Sequence, residues 1–100
     1  MSEHDIYKAI ADDTRRAILA VLTERPLPVH EIAAQFPVSR PAISKHLRIL
    51  TEAGLVRPKR YGQENRYELT PDALTEVAAW LGRFVGAQMA AAAAPAKKRA

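Results

Sequence analysis

The sequence predicts a mainly α-helical domain carrying one small β-hairpin. Three observations predict it. Apolar residues recur at helical spacing over most of the chain, prolines and capping residues divide that pattern into about five short helices, and one basic stretch folds back about a glycine turn before the last of them. Of 100 residues, 48% are apolar and 26% charged, a composition that suits one small domain and leaves no room for a two-domain enzyme. A chain this short buries only about 60–65% of the surface its unfolded form exposes, so a partner subunit is expected to complete it.

Ile6, Tyr7 and Ile10 mark a first helix, and Ala17, Ile18, Val21 and Leu22 a second, with Asp12, Asp13 and Thr14 between them at a capping position. Pro26 and Pro28 stop the second helix. A third runs from about Val29 through Ile32 and Ala33 to Phe36, too short to stand except by packing. Pro37, Val38 and Ser39 make a tight connection, with Ser39 the expected N-cap of a fourth helix from Arg40 and Gly54 its C-terminal cap.

Turned at about 100° per residue, this fourth helix places Ile43, Leu47 and Leu50 on one stripe. Pro41, Ser44, Lys45, Arg48 and Glu52 point the other way. Two short helices joined by a three- or four-residue turn, the second presenting Ser, Lys and Arg outward, follow the helix-turn-helix plan, whose second helix enters a DNA major groove. Ser and Lys hydrogen-bond base edges or phosphates, Arg40 is placed to fork onto guanine, and a helix N-terminus favours a phosphate.

Leu55 to Tyr61 reads as a basic strand, Gly62-Gln63-Glu64-Asn65 as a polar tip, and Arg66-Tyr67-Glu68-Leu69 as the return strand. Basic residues flanking an exposed tip suit a wing that straddles a DNA backbone or enters a minor groove, which makes the whole a winged helix-turn-helix of about five helices and a two-stranded wing. A last helix starts at Thr70-Pro71-Asp72, with Thr70 as N-cap.

Charge follows the same plan. The net +4 conceals a block, residues 38–66, that holds 7 basic and 2 acidic side chains, whereas residues 1–37 hold 4 and 6. The basic set is Arg40, Lys45, Arg48, Arg57, Lys59, Arg60 and Arg66, the footprint of a polyanion-binding surface. The absence of cysteine excludes disulfides, thiolate chemistry and Cys-based zinc sites. Neither Asp12 and Asp13, Ser39 and Ser44, nor the lone Gly62 forms a catalytic constellation, so no enzyme and no cofactor are expected. The polar, acidic first residues and the lack of a long apolar run predict a cytoplasmic protein without a membrane span.

The segments Ala11-Asp12-Asp13-Thr14-Arg15-Arg16-Ala17-Ile18-Leu19, Ser39 through Leu50 and Ala53-Gly54-Leu55-Val56 resemble the ArsR/SmtB family of bacterial transcriptional repressors, in order and spacing, over roughly residues 4–87. The resemblance implies a homodimer that pairs through its first and last helices, binds an operator near its own promoter and usually releases it on binding an inducer. It places Arg40, Pro41, Ser44 and Lys45 where the family's recognition helix meets bases and phosphates, with His46 beside them. Ser39 at the start of that helix, Arg48 further along it, and Lys59, Arg60 and Arg66 in the wing complete the expected DNA-binding set, a solvated face being the other reading of the wing residues. For His46, packing at the core edge and a phosphate contact both stay open. Arg15 and Arg16 are expected to be solvated or paired with Asp12 or Asp13.

The family's metal sensors carry thiolates where this chain has Pro28 and His30, and Asp and His residues along a stretch that reads Val77-Ala78-Ala79-Trp80-Leu81-Gly82-Arg83 here. His4 and His30 alone make no zinc or nickel site, so no metal regulation is expected. The last helix has more apolar surface than a monomer needs, in Leu74, Val77, Ala78, Leu81, Phe84 and Val85 with Trp80 displaced from the stripe. The expected dimer interface is Ile6, Ile10, Leu74, Val77, Leu81 and Phe84, which sets two recognition helices about 34 Å apart on an inverted-repeat operator in double-stranded DNA.

Residues 1–88 form the expected DNA-binding and dimerisation domain, and residues 89–100 an unstructured Ala-rich basic tail that either adds non-specific DNA attraction or is inert. An unidentified small-molecule inducer is left open. The alternative function is a winged-helix protein-interaction module with only non-specific DNA affinity.

Overall fold

Aspartates start the first two helices. Asp5 Oδ1 accepts from the Lys8 amide (2.8 Å) at the head of α1, Ile6–Ala9, and Asp12 Oδ2 accepts from the Arg15 amide (3.0 Å) at the head of α2, Asp13–Leu22. In the computed structural model residues 5–93 are described, their side chains as far as Gly86. His4 and the basic end of the tail, residues 94–100, lie outside the described residues. The second helix ends before its prolines: the Thr23 hydroxyl donates to the Ala20 carbonyl (2.7 Å), and Pro26 only bars the chain from resuming a helix.

α3, Val29–Ala33, is shorter than the reading that ran it to Phe36. Hydrogen bonds from Gln35 to Ile32 and from Phe36 to Ala33 continue it as a tighter turn, so six residues rather than three or four separate α3 from α4. α4, Arg40–Glu52, begins as expected, with Ser39 Oγ accepting from the Ala42 amide (3.2 Å) and Pro41 in the first turn. It ends in a Schellman turn: Leu55 N–H donates to the Leu50 carbonyl (2.9 Å), Gly54 N–H to that of Thr51 (3.0 Å), and Gly54 sits at φ +80°.

β1, Val56–Tyr61, pairs antiparallel with β2, Glu64–Leu69, so the tip is only Gly62 and Gln63. The four-residue tip expected from sequence shrinks because Gly62, at φ +62°, takes the first position of a two-residue turn and lets Glu64 and Asn65 pair. Leu27 adds a third short rung by exchanging backbone hydrogen bonds with Tyr67.

The core lies beneath α4, where Ile43, Leu47 and Leu50 meet Ile18, Ile32 and Leu55, all buried. Thr70 does not cap the last helix. Its amide donates to the Leu55 carbonyl (2.9 Å), its hydroxyl is buried without a partner, and a 3₁₀ turn at Pro71–Ala73 leads into α5, Leu74–Ala93. No described helix is long and apolar enough to cross a membrane.

Candidate nucleic-acid interface

With Ile43, Leu47 and Leu50 fully buried, the opposite side of α4 faces outward: Arg40, Pro41, Ser44, Lys45 and Arg48 are all exposed. Arg40, Ser44 and Arg48 recur every fourth residue and form one row, with Lys45 beside it. None of the three cations is held in an ion pair among the described residues. Ser39 is exposed, and its hydroxyl is engaged as the N-cap. The row is therefore a set of outward donors on a helix whose position the core determines.

His46 is set apart from this row. Its side chain is 20% exposed, Arg15 Nη1 donates to its Nδ1 (3.1 Å), and Asp12 Oδ2 lies 4.0 Å from the same nitrogen. Arg15, expected to be solvated or paired with an aspartate, reaches instead for His46 and the carbonyls of Lys8 and Ala9. That correction follows from tertiary packing, which brings α1, α2 and α4 together around it. Arg16 does pair with Asp13 (2.6 Å). The Arg15 amide at its cap holds the Asp12 carboxyl below the usual range, helped by the nearby Arg15 and His46 side chains.

Strand register divides the wing. Lys59 stands directly opposite Arg66, whereas Arg60 pairs with Asn65 and belongs to the other face. Glu68 accepts from Arg57 Nε (2.7 Å) and from the Tyr61 hydroxyl (2.9 Å), which lowers its carboxyl pKa and raises that of the tyrosine. Arg66 Nε donates to Glu64 (2.8 Å), and both Lys59 and Arg66 lie over the Tyr61 ring, 5.8 and 5.0 Å from its centre. Arg60 Nε donates to the Gly62 carbonyl (3.0 Å). Two of the four wing cations are thus paired with glutamates of the return strand: Arg66 with Glu64 two residues before it, and Arg57 with Glu68 across the ladder, a pairing that depends on register.

Of the residues expected at a dimer interface, Ile6, Ile10, Leu74 and Val77 are half-buried within their own domain. Leu81 and Phe84 stay exposed, Phe84 at 65%. Trp80, read as displaced from the stripe, joins it in space, edge-on to Tyr7 of α1 (5.8 Å between ring centres) and to Phe84 (5.0 Å). Among the described residues no three His, Asp or Glu side chains gather as a metal site.

Residues 10–59 match a family described as a helix-turn-helix domain. The chain is 45% identical over 78 residues to the HTH-type transcriptional regulator Rv2034 of Mycobacterium tuberculosis, which covers 78% of this chain and 73% of that protein. It is 37% identical over 82 residues to the transcriptional repressor SdpR of Bacillus subtilis, covering 82% of this chain and 91% of that one. An ArsR-like transcriptional regulator from Rhodococcus has a similar structure, with a TM-score of 0.74 at 37% identity over 84% of this chain and 76% of the other. By sequence and by fold, the chain belongs to the ArsR/SmtB family of winged helix-turn-helix transcriptional regulators.

Proposed function

We propose that two copies of this chain pair through α1 and α5 and repress transcription from an inverted-repeat operator, one α4 in each major-groove half-site. The observation that carries this reading is the exposed row Arg40, Ser44, Lys45 and Arg48 on a helix whose other side is fully buried. Arg40 and Ser44 read base edges, Lys45 and Arg48 neutralise phosphates, and Pro41 and the Ser39-capped helix start approach the backbone. Lys59 and Arg60, with Arg66 beside them, take the flanking phosphates or minor groove.

Pairing is supported by the exposed aromatic surface of Tyr7, Trp80 and Phe84, larger than a monomer gains from showing water. Two-fold pairing there sets the recognition helices about 34 Å apart, one turn of DNA. Repression is supported by the repressor of Bacillus subtilis among the relatives. Residues 1–88 carry both tasks in a cytoplasmic protein, and control of its own gene is the simplest circuit.

The test is selection of genomic fragments by the purified protein near 0.15 M salt, followed by sequencing. Enrichment of a few inverted repeats, one of them upstream of its own gene, is the expected result. Uniform recovery that vanishes with added salt would overturn it in favour of a protein-interaction module.

A further inference from the structure

Arg15 joins three helices through one side chain. Its Nε donates to the carbonyl of Ala9 (2.7 Å) and its Nη2 to that of Lys8 (3.3 Å), both on α1, while its Nη1 donates to His46 Nδ1 (3.1 Å) on α4. A guanidinium offers donors only, so in this bond Nδ1 is the acceptor. The neighbouring carboxylate of Asp12, on the N-terminal side of α2, lies 4.0 Å from the same nitrogen. α1 is also the helix whose Tyr7 packs edge-on against Trp80 of α5. His46 follows Lys45 directly, on the flank between the buried stripe of α4 and its exposed row.

We propose that Arg15 and His46 are a positioning pair that carries the setting of α1 and α5 to α4, and so fixes the spacing between half-sites that the dimer accepts. The inference rests on the dimeric operator-binding reading above. The lever is long enough to matter: α4 has 13 residues and spans about 20 Å, so a tilt of about 10° moves its end by about 3 Å. That displacement is about the rise of one base pair, ~3.4 Å. Arginine suits the task because its rigid fork meets three acceptors in fixed directions, whereas a lysine keeps the charge and loses the geometry.

The experiment measures binding of purified dimers to inverted repeats whose central spacer varies one base pair at a time. The proteins are wild type, Arg15→Lys, His46→Leu, His46→Gln and the Arg15→Lys/His46→Leu double variant, with melting and sedimentation run alongside. Wild type is expected to prefer its best spacer by about tenfold or more. Arg15→Lys and His46→Leu reduce that preference to about threefold or less, and the double variant is no flatter than either single one. His46→Gln, whose amide oxygen accepts in place of Nδ1, restores most of the preference. His46→Leu leaves the Arg15 bonds to Ala9 and Lys8 intact, so it separates positioning from folding of α1.

Equal loss of affinity on every spacer, or additive effects in the double variant, would overturn the pair's role. A wild-type preference that survives in both single variants removes that role alone. A wild type with no spacing preference removes the operator reading, and the pair's role with it.

Discussion

Leu27 and Tyr67 exchange two backbone hydrogen bonds, Tyr67 N–H to the Leu27 carbonyl at 2.8 Å and Leu27 N–H to the Tyr67 carbonyl at 3.1 Å. This rung ties the segment just ahead of the helix-turn-helix to the return strand of the wing. Leu27 is 3% exposed and part of the core, so one residue anchors the wing by backbone and by side chain. Leu27→Ala is expected to lower stability by about 2–4 kcal/mol in urea unfolding. Faster amide exchange at Tyr67 than in wild type accompanies it, because the rung loosens with the lost packing.

Lys45 and Ser44 sit side by side on α4 with different chemistry. Lys45→Ala is expected to weaken binding to all DNA and to lower the salt slope by about 1 per subunit site. Ser44→Ala changes base preference with little change in slope. Titrations at several salt concentrations, on the selected operator and on unrelated DNA, check both.

In the wing, Glu68 holds Arg57 and the Tyr61 hydroxyl. Glu68→Gln removes the carboxylate charge and leaves Arg57 unneutralised, so affinity for unrelated DNA rises and its salt dependence steepens. Because those hydrogen bonds hold the Glu68 carboxyl below its usual range, the difference from wild type persists as pH falls through the ordinary carboxylate region. Unchanged binding of the Gln variant would remove Glu68 as a brake on non-specific attraction.

Asp12 makes stability depend on acid. Its folded pKa is lowered, so its charge stabilises fully above the unfolded value, and that contribution is lost as pH falls through the folded one. Asp12→Asn keeps an acceptor for the Arg15 amide without the charge. Wild type is expected to be the more stable protein near pH 6, with the gap closing toward about pH 2. Denaturant midpoints across that range measure it.

Phe84 contributes little to its own domain at 65% exposure. Phe84→Ser is expected to leave the melting of the monomer fold nearly intact and to raise the dimer dissociation constant by about 10- to 100-fold, the equivalent of one buried aromatic lost from the seam. Sedimentation equilibrium decides, and an unchanged constant would place the seam elsewhere.

Where signals were local, the sequence was legible. Ser39 caps α4 because a serine before an Arg-Pro start has one good use there, and Gly54 ends it because a residue at φ +80° favours glycine. The period of Ile43, Leu47 and Leu50 identified the buried side of α4, and with it the outward row. Thr70 misled because its signal competes with a backbone bond to Leu55 that forms only once the wing is packed. The pairing of Arg57 with Glu68 and the reach of Arg15 left no local signal at all.

By itself, then, the sequence determined the helix boundaries set by caps and glycine, the amphipathic side of the recognition helix and the family. Only the tertiary structure decided which charges are free and which residues link helices. Capping and periodicity are written within a few neighbouring residues, whereas the pairing of Arg57 with Glu68 needs strand register. The meeting of Arg15 with His46, 31 positions apart, needs the packing of one helix on another.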